Sequence, residues 1–180
     1  MAKTFEQIDG KLAAWIKEQK VFFVATAPAG REGHVNCSPK GGDSFRILDP
    51  KTVAYQDLTG SGIETIAHLK ENGRIVLMFC AFKGPPQIIR LHGTGEVVEP
   101  GDSDFDGLAR NFPPNKGMRA IIRVRLNRVS DSCGYAVPLY DFKAPRDVLD
   151  KWVEEKGDGG LKEYRETKNQ KSIDDLPGLS

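Results

Sequence analysis

The stretch that organises the chain is Val53 to Cys80, V-A-Y-Q-D-L-T-G-S-G-I-E-T-I-A-H-L-K-E-N-G-R-I-V-L-M-F-C. Its pattern predicts a strand, a turn rich in glycine, a helix and a second strand. Ile63, Ile66 and Ala67 recur at i, i+3 and i+4, as on the apolar face of a helix. Gly73 stands where a helix C-cap is expected. The helix should therefore begin close to the turn.

The turn is Thr59-Gly60-Ser61-Gly62, which combines small side chains, hydroxyl groups and backbone N–H groups. We expect the helix to begin at Ser61 or Gly62, where free amides and the helix dipole can hold an anion such as a phosphate. The turn is not a Walker A loop, because no Gly-Lys-Ser/Thr follows, and Thr65 stands where a dinucleotide fingerprint has its third glycine. Two interpretations stay open, an anion site and a plain helix-capping turn.

The composition limits the classes of protein to which the chain can belong. Its 180 residues, 39% of them hydrophobic, suit a single domain with an ordinary core. With 26 basic and 25 acidic residues, the formal net charge of +1 gives no electrostatic footprint for nucleic acid or an anionic membrane. The sequence shows neither a signal peptide nor a run of roughly 20 apolar residues, so we expect a soluble, cytoplasmic protein.

The cysteines and histidines indicate no metal site. The three cysteines lie far apart without a C-x-x-C pair, at Cys37, Cys80 and Cys133. Reduced thiols used for packing are expected, with a reactive thiol as the alternative. The three histidines lack metal-ligand spacing and are interpreted as surface or packing residues; they are His34, His68 and His92. No Ser/His/Asp or Cys/His set can be assembled, so the sequence does not support hydrolytic chemistry.

Hydrophobic periodicity predicts six or seven strands joined by short turns, near 21–27, 34–38, 44–48, 52–56, 74–82, 87–99 and 119–129. A capping box at Thr4 to Gln7 predicts a first helix from Phe5 to Glu18. A short helix is expected at Asp102 to Asn111 and another from Pro145 onward. Because β and α units do not alternate, the pattern favours an antiparallel barrel over a parallel sheet.

The sequence predicts one domain over residues 1–160 and a separate C-terminal tail over residues 161–180. The tail is charged and poor in apolar residues, so we expect it to be weakly ordered or laid over a neighbouring subunit.

Lys40 and a row of arginines are the basic residues that merit attention. Lys40 lies between a proline and two glycines, so it could bind a phosphate or be a solvated surface lysine. The arginines of the last strand are interpreted as a solvent-facing, ion-paired row, with a ligand site as the alternative; they are Arg119, Arg123 and Arg125.

Five motifs follow one another in the chain: V-N-C-S-P-K-G-G-D from Val35, T-V-A-Y-Q-D-L-T-G-S-G from Thr52, I-E-T-I-A-H-L-K-E-N-G-R from Ile63, I-V-L-M-F-C-A-F-K-G-P-P from Ile75 and R-L-H-G-T-G-E-V-V from Arg90. Together they resemble the pyridoxamine 5'-phosphate oxidase family, and more closely its small flavin-binding split-barrel relatives. The resemblance covers about Ala14 to Pro138. It implies a mainly β fold, a six-stranded antiparallel split β-barrel with peripheral helices.

The resemblance also implies a cofactor and a partner. In that family FMN lies between the two subunits of a homodimer, with its phosphate held by the strand that ends in the lysine and by the turn and helix after the next strand. Residue by residue, this carries over to Ser38, Lys40, Tyr55, Gln56, Thr59, Gly60, Ser61, Gly62 and Thr65. With the family in view, we expect these residues to bind FMN.

The expected function is that of an FMN-dependent oxidoreductase acting on an unidentified small molecule. The alternative is a non-catalytic flavin or haem carrier or sensor, and no catalytic acid or base can be named. This chain keeps only the lysine of the Arg-x-Val-x-x-Lys strand of the classical oxidases. It shows no counterpart of their C-terminal arginine-bearing segment, so the sequence does not predict activity on pyridoxamine phosphate. The segment from Ser132 to Pro138, with Tyr140, is expected either at a pocket mouth or as an ordering loop.

Overall fold

The computed structural model describes residues 3–180, and its centre is one antiparallel sheet of eight strands. The strands are β1 (Thr4–Phe5), β2 (Val21–Thr26), β3 (Asn36–Gly41), β4 (Phe45–Asp49), β5 (Thr52–Leu58), β6 (Arg74–Cys80), β7 (Ile88–Val98) and β8 (Met118–Ser132). The helices are α1 (Gly10–Glu18), α2 (Glu64–Asn72), α3 (Phe105–Ala109) and α4 (Val148–Lys168). The predicted class, a mainly β antiparallel fold with peripheral helices, is confirmed.

The strand count is eight among the described residues, where the periodicity predicts six or seven and the family resemblance implies six. The added strand is β1, which pairs with β8 through Thr4 opposite Ser130 and Phe5 opposite Val129. Thr4 is therefore part of a strand and does not begin a capping box. Helix α1 instead starts after Asp9, whose carboxylate accepts a hydrogen bond from the Leu12 N–H at 2.7 Å.

The sheet curls on itself. Its strands follow the order β3-β2-β6-β7-β8-β5-β4, with β1 beside β8, so β3 lies at one end and β5 next to the other. Nevertheless, the Lys40 ammonium on β3 lies 3.0 Å from the Asp57 carboxylate on β5. A flat sheet would hold these strands far apart, since neighbouring strands are spaced by about 4.8 Å. The result is an open, split barrel whose two ends meet through side chains.

An aromatic cluster fills the inside of the curl. The Phe22 ring lies 5.4 Å from Phe79 and 5.6 Å from Tyr55, and Phe45 lies 5.1 Å from Phe79. Burying one such side chain stabilises the fold by roughly 1.5–3 kcal/mol. Residues of α1 and α2 belong to the same core, and a second, smaller core lies under α3.

Gly93 marks a close approach of β7 to β8. The register between the strands shifts between His92 and Gly93. A Cβ atom at Gly93 would collide with the backbone oxygen of Arg125, so only glycine fits there.

The C-terminal residues do not form the weakly ordered tail that the sequence predicts. Helix α4 starts after Asp147 and continues through the predicted boundary at residue 160, with a kink at Gly157 where φ is 61°. Leu161 is 2% exposed and Asn169 is completely buried. Past the helix, the Gly178 carbonyl accepts a hydrogen bond from Lys70 of α2 at 2.6 Å. A few apolar and amide side chains at the right positions therefore attach the segment to its own domain.

Over residues 3–180, no helix combines the length and the apolar character that crossing a bilayer requires.

Candidate functional site

The inward face of β3 carries a row of polar side chains. Asn36, Ser38 and Lys40 alternate with exposed residues, as period-two geometry requires. The Ser38 hydroxyl donates to Asn36 Oδ1 at 3.2 Å, and the Asn36 amide donates to Thr65 Oγ1 at 3.0 Å. Two predicted site residues, Ser38 and Thr65, thus lie on opposite sides of one amide. The row faces the start of α2.

At the end of this row, one buried carboxylate joins two cations. Asp57 lies 3.0 Å from the Lys40 ammonium and 2.7 Å from Arg119 Nε. Asp57 and Arg119 are buried, whereas the Lys40 side chain is 22% exposed. Burial alone would raise the pKa of Asp57, but the charges of Lys40 and Arg119 outweigh burial and lower that pKa. The carboxylate therefore stays ionised, and Lys40 keeps two N–H donors for another acceptor.

Arg119 also sets the conformation of the glycine turn (residues 59–62). Its two terminal nitrogens donate to the carbonyls of Gly60 at 3.1 Å and Gly62 at 2.7 Å. In a trans peptide the C=O and the following N–H point in opposite directions. The N–H of Ser61, which follows the Gly60 carbonyl, therefore points away from Arg119. Ser61 itself is exposed.

The turn does not cap α2 in the way that the sequence predicts. Helix α2 begins at Glu64, its N-cap is Ile63, and no side chain makes a capping hydrogen bond. The predicted start at Ser61 or Gly62 is wrong because these two residues stay outside the helix, in a turn that Arg119 shapes. Gly73, with φ of 70°, does end the helix as predicted.

Thr59 anchors the turn from inside. It is 2% exposed, and its hydroxyl donates to the Gly117 carbonyl at 2.8 Å while accepting from Arg165 Nε at 2.9 Å. A hydroxyl has one proton to donate, so the Thr59 hydroxyl has none left for a ligand. Of the two hydroxyls predicted in the turn, the one at Ser61 remains free for an anion.

Tyr55 and Gln56 lie apart from the turn. Tyr55 belongs to the aromatic core, with the Lys40 ammonium 5.9 Å from its ring centre. Its buried hydroxyl has no hydrogen-bond partner among residues 3–180, and burial, with a smaller effect of Asp57, raises its pKa well above the ordinary value. Gln56 extends to the other face of β5 and donates to the Pro113 carbonyl at 2.9 Å. The structure therefore groups the other seven of the nine predicted residues around the β3 row and the turn.

An open cavity of about 490 Å³ adjoins the turn. Its lining combines the exposed part of the turn with residues of three other segments: His34, Val35, Asn36, Ser61, Gly62, Glu64 and Ile173. Val35 and Ile173 present exposed apolar surface, while Glu64 brings a carboxylate close to Gly62. A ligand that binds at Ser61 would extend into this cavity.

Five residues of this region are not among the predicted site residues: Asn36, Asp57, Arg119, Arg165 and Asn169. The sequence could have indicated Asp57, because an acidic residue inside an apolar strand is expected to pair with a cationic side chain. Arg119 was expected in a solvent-facing row, but it is 5% exposed. Arg123 does follow that expectation, since its guanidinium pairs with Glu96 and Asp104, each at 2.8 Å.

The histidines and cysteines give mixed outcomes. His68 is buried and its Nδ1 lies 2.9 Å from Thr26 Oγ1, while His34 contacts Asp174 at the surface. Within the described chain, no cluster of three metal-ligating side chains forms. Cys80 is buried as predicted, but Cys37 and Cys133 are exposed, so the packing interpretation fails for these two.

Comparisons with known proteins identify the class of protein that has this split barrel and a glycine turn flanked by cationic side chains. The sequence model of the pyridoxamine 5'-phosphate oxidase family matches residues 8–133. The chain is also 41% identical, over 192 aligned positions, to the pyridoxamine 5'-phosphate oxidase family protein ustO of Aspergillus flavus, covering 97% of this chain and 77% of that protein. The chain belongs to the pyridoxamine 5'-phosphate oxidase family.

Solved structures share the fold. HupZ from Group A Streptococcus aligns with a TM-score of 0.53 and 25% identity, covering 68% of this chain and 91% of that one. A candidate pyridoxamine 5'-phosphate oxidase from Lactobacillus delbrueckii aligns with a TM-score of 0.55 and 19% identity, covering 71% of this chain and 98% of that one. At this identity the second likeness speaks for the fold alone.

Proposed function

We propose that this protein binds FMN and passes hydride or electrons between the flavin and a small molecule. The observation that carries the proposal is the charge around the glycine turn. Lys40, Arg119 and Arg165 bring three cations to this region, and Asp57 is the one carboxylate that pairs with any of them within residues 3–180. Such an excess of positive charge beside free backbone amides suits a dianionic phosphate.

The phosphate would be held from two sides. Lys40 and Ser38 would approach from β3, and the Ser61 hydroxyl and N–H would approach from the turn, with Thr65 behind. Gly60 and Gly62 carry no side chains that could block the turn. Each charge-assisted hydrogen bond of this kind contributes roughly 1.5–3 kcal/mol. Thr59 and Tyr55 would support this arrangement by anchoring the turn and by packing under Lys40.

The rest of the ligand would occupy the cavity beside Ser61. The flavin ring supplies two-electron and one-electron chemistry when it is bound, and the protein contributes position and electrostatics. Val35 and Ile173 offer apolar surface for a planar ring. No acid or base is assigned a catalytic role.

The proposal includes a homodimer. Several large apolar side chains are exposed along the segment after β8: Tyr135, Leu139, Tyr140 and Phe142. An exposed apolar stretch of this kind commonly marks an interface. A second copy of the chain would cover it and complete the flavin cavity, which is open on one side.

Ligand binding by purified protein tests the proposal. The protein should be yellow, and fluorescence quenching should show tighter binding of FMN than of riboflavin. Oxidation of NADH or NADPH should then exceed that of free FMN with at least one acceptor in a panel. Tight FMN binding without this excess would favour the non-catalytic carrier. Equal affinity for riboflavin and FMN, or binding of neither, would refute the phosphate assignment.

A further inference from the structure

The part of the chain beyond the family match reaches back to the glycine turn. The match ends at residue 133, whereas Arg165 and Asn169 lie at the end of α4. Arg165 Nε donates to Thr59 Oγ1 at 2.9 Å, and the Asn169 amide donates to the Gly60 carbonyl at 2.9 Å. Two consecutive residues of the turn are therefore held by a segment that the family match does not include.

Asn169 is itself held from both sides. Its backbone N–H donates to the Arg165 carbonyl at 2.9 Å, and its carbonyl accepts from the Leu179 N–H at 2.9 Å. Gly178 passes so close that a Cβ atom there would collide with the Asn169 carbonyl. The side chain is completely buried, and its Oδ1 has no partner among residues 3–180. A buried oxygen without a hydrogen bond lowers the stability of the folded state, so Asn169 contributes less to stability than a fully paired or apolar residue would.

The Gly60 carbonyl thus accepts two hydrogen bonds from the protein interior, one from Asn169 and one from Arg119 at 3.1 Å. Because the peptide is planar and trans, both bonds turn the Ser61 N–H toward the outside. Arg119 acts in the same way on Gly62, which turns the Ile63 N–H outward. The segment behind the turn therefore determines which way its amide donors point.

Arg165 adds charge as well as position. Its guanidinium also donates to the carbonyls of Lys116 at 3.2 Å and Met118 at 3.3 Å. No carboxylate lies within 4.0 Å of it in the described chain. Burial, followed by the charge of Arg119, lowers the pKa of Arg165, while Asp57 pairs with Arg119 and Lys40 and not with Arg165. A dianion bound at the turn would therefore meet a positive charge on Arg165 that no carboxylate of the described chain neutralises.

We propose that Arg165 and Asn169 are positioning residues that make the turn select a phosphate-bearing ligand over its dephosphorylated form. This inference rests on the proposed function, since it assigns the FMN phosphate to the same turn. Residues of the C-terminal segment, as well as residues of the barrel, would then determine which ligand binds.

The test compares FMN and riboflavin affinities by fluorescence quenching in Arg165→Gln, Arg165→Lys and Asn169→Ala. We expect Arg165→Gln to weaken FMN binding by about tenfold, through loss of a nearby positive charge and of the hydrogen bond that holds Thr59, with riboflavin binding nearly unchanged. Arg165→Lys keeps the positive charge, so it should keep part of the preference for FMN over riboflavin. Lys162→Ala removes an exposed cation of the same helix and is the matched control. Equal losses for FMN and riboflavin in folded variants would overturn the inference.

Inorganic phosphate provides a second readout that does not depend on flavin. Phosphate should raise the melting temperature of the wild type by binding the native state, and raise it less in Arg165→Gln. If Asn169→Ala does not fold, the two Arg165 variants carry the test. Wild type that binds neither flavin but is stabilised by phosphate in an Arg165-dependent way would refute the proposed function and keep the inference. Absence of any phosphate effect in the wild type would overturn the inference.

Discussion

Lys40 is the residue whose replacement tests the phosphate site most directly. It already pairs with Asp57 at 3.0 Å and has two further donors. We predict that Lys40→Ala weakens FMN binding by roughly tenfold or more, because each 1.4 kcal/mol corresponds to a factor of ten. Fluorescence quenching should show a much smaller effect on riboflavin, since removing the ligand phosphate and removing Lys40 delete the same interaction. Lys11→Ala, at an exposed lysine of α1, is the control, and an equal loss for both ligands would contradict the prediction.

Glu64 should act in the opposite direction. Its carboxylate lies close to Gly62, on the side where the phosphate is proposed to bind. Removing a like charge there should tighten FMN binding several-fold while leaving riboflavin binding nearly constant, as measured with the same quenching titration. Glu64→Gln keeps the size of the side chain, and Glu163→Gln on α4 serves as the control. Weaker FMN binding in Glu64→Gln would place the phosphate elsewhere.

Asp57 governs stability through the two cations that it joins. Leaving Lys40 and Arg119 without their buried carboxylate should destabilise the protein by roughly 3–5 kcal/mol. We predict a clear loss in the free energy of unfolding of Asp57→Asn at neutral pH, measured by urea denaturation, and almost none in the exposed control Asp147→Asn. Because the folded state lowers the pKa of Asp57, its contribution is complete above the ordinary value of 3.8 and is lost as the pH falls through the lowered pKa. A difference between wild type and variant that grows on acidification would contradict this assignment.

At the scale of elements, the loop after α4 is attached to the start of β3 by one carboxylate. Asp174 accepts hydrogen bonds from the backbone N–H and from Nδ1 of His34, both at 2.7 Å. These bonds lower the pKa of Asp174, so the attachment is strongest above the ordinary value of 3.8 and weakens as the pH falls through the lowered pKa. We predict that Asp174→Ala speeds hydrogen exchange at residues 172–176 several-fold without affecting β8, as measured by mass spectrometry. Unchanged exchange there would mean that other contacts hold the loop.

The elements show which parts of this structure a sequence can predict. Strand periodicity and the Gly73 cap are local signals, and they gave the mainly β class and the end of α2. The contacts of Arg165 with Thr59 and of Asn169 with Gly60 span 106 and 109 residues, so no local pattern carries them. The alternation of polar and apolar residues assigns Arg119 to one face of β8, but it does not show that its long side chain reaches the buried carboxylate of Asp57. Ser38 and Thr65 were predicted as site residues only from the family resemblance, because their positions in the sequence give no sign that they lie close together.

At the scale of the whole molecule, the exposed apolar segment after β8 should mediate dimer formation. Leu139 is 74% exposed and Tyr135 is 84% exposed. A charge placed in a buried interface is costly because it loses its water. We therefore predict a dimer for the wild type at micromolar concentration and a shift toward monomer for Leu139→Glu, measured by light scattering. Val148→Glu, at another exposed apolar residue, is the comparison, and a monomeric wild type would contradict the prediction.

The strand order has a consequence for how the protein is made. Strand β5 can pair with β4 as soon as both are made, but its other edge pairs with β8, so Thr52 must wait for Arg125 to be synthesised before that edge is filled. At about 5–20 residues per second this wait is on the order of seconds. During that interval Val53 and Tyr55, which are fully buried in the finished fold, lack the core residues that β7 and β8 supply. We therefore expect the nascent chain to protect this open edge of β5 by transient collapse or by a chaperone until β8 leaves the ribosome.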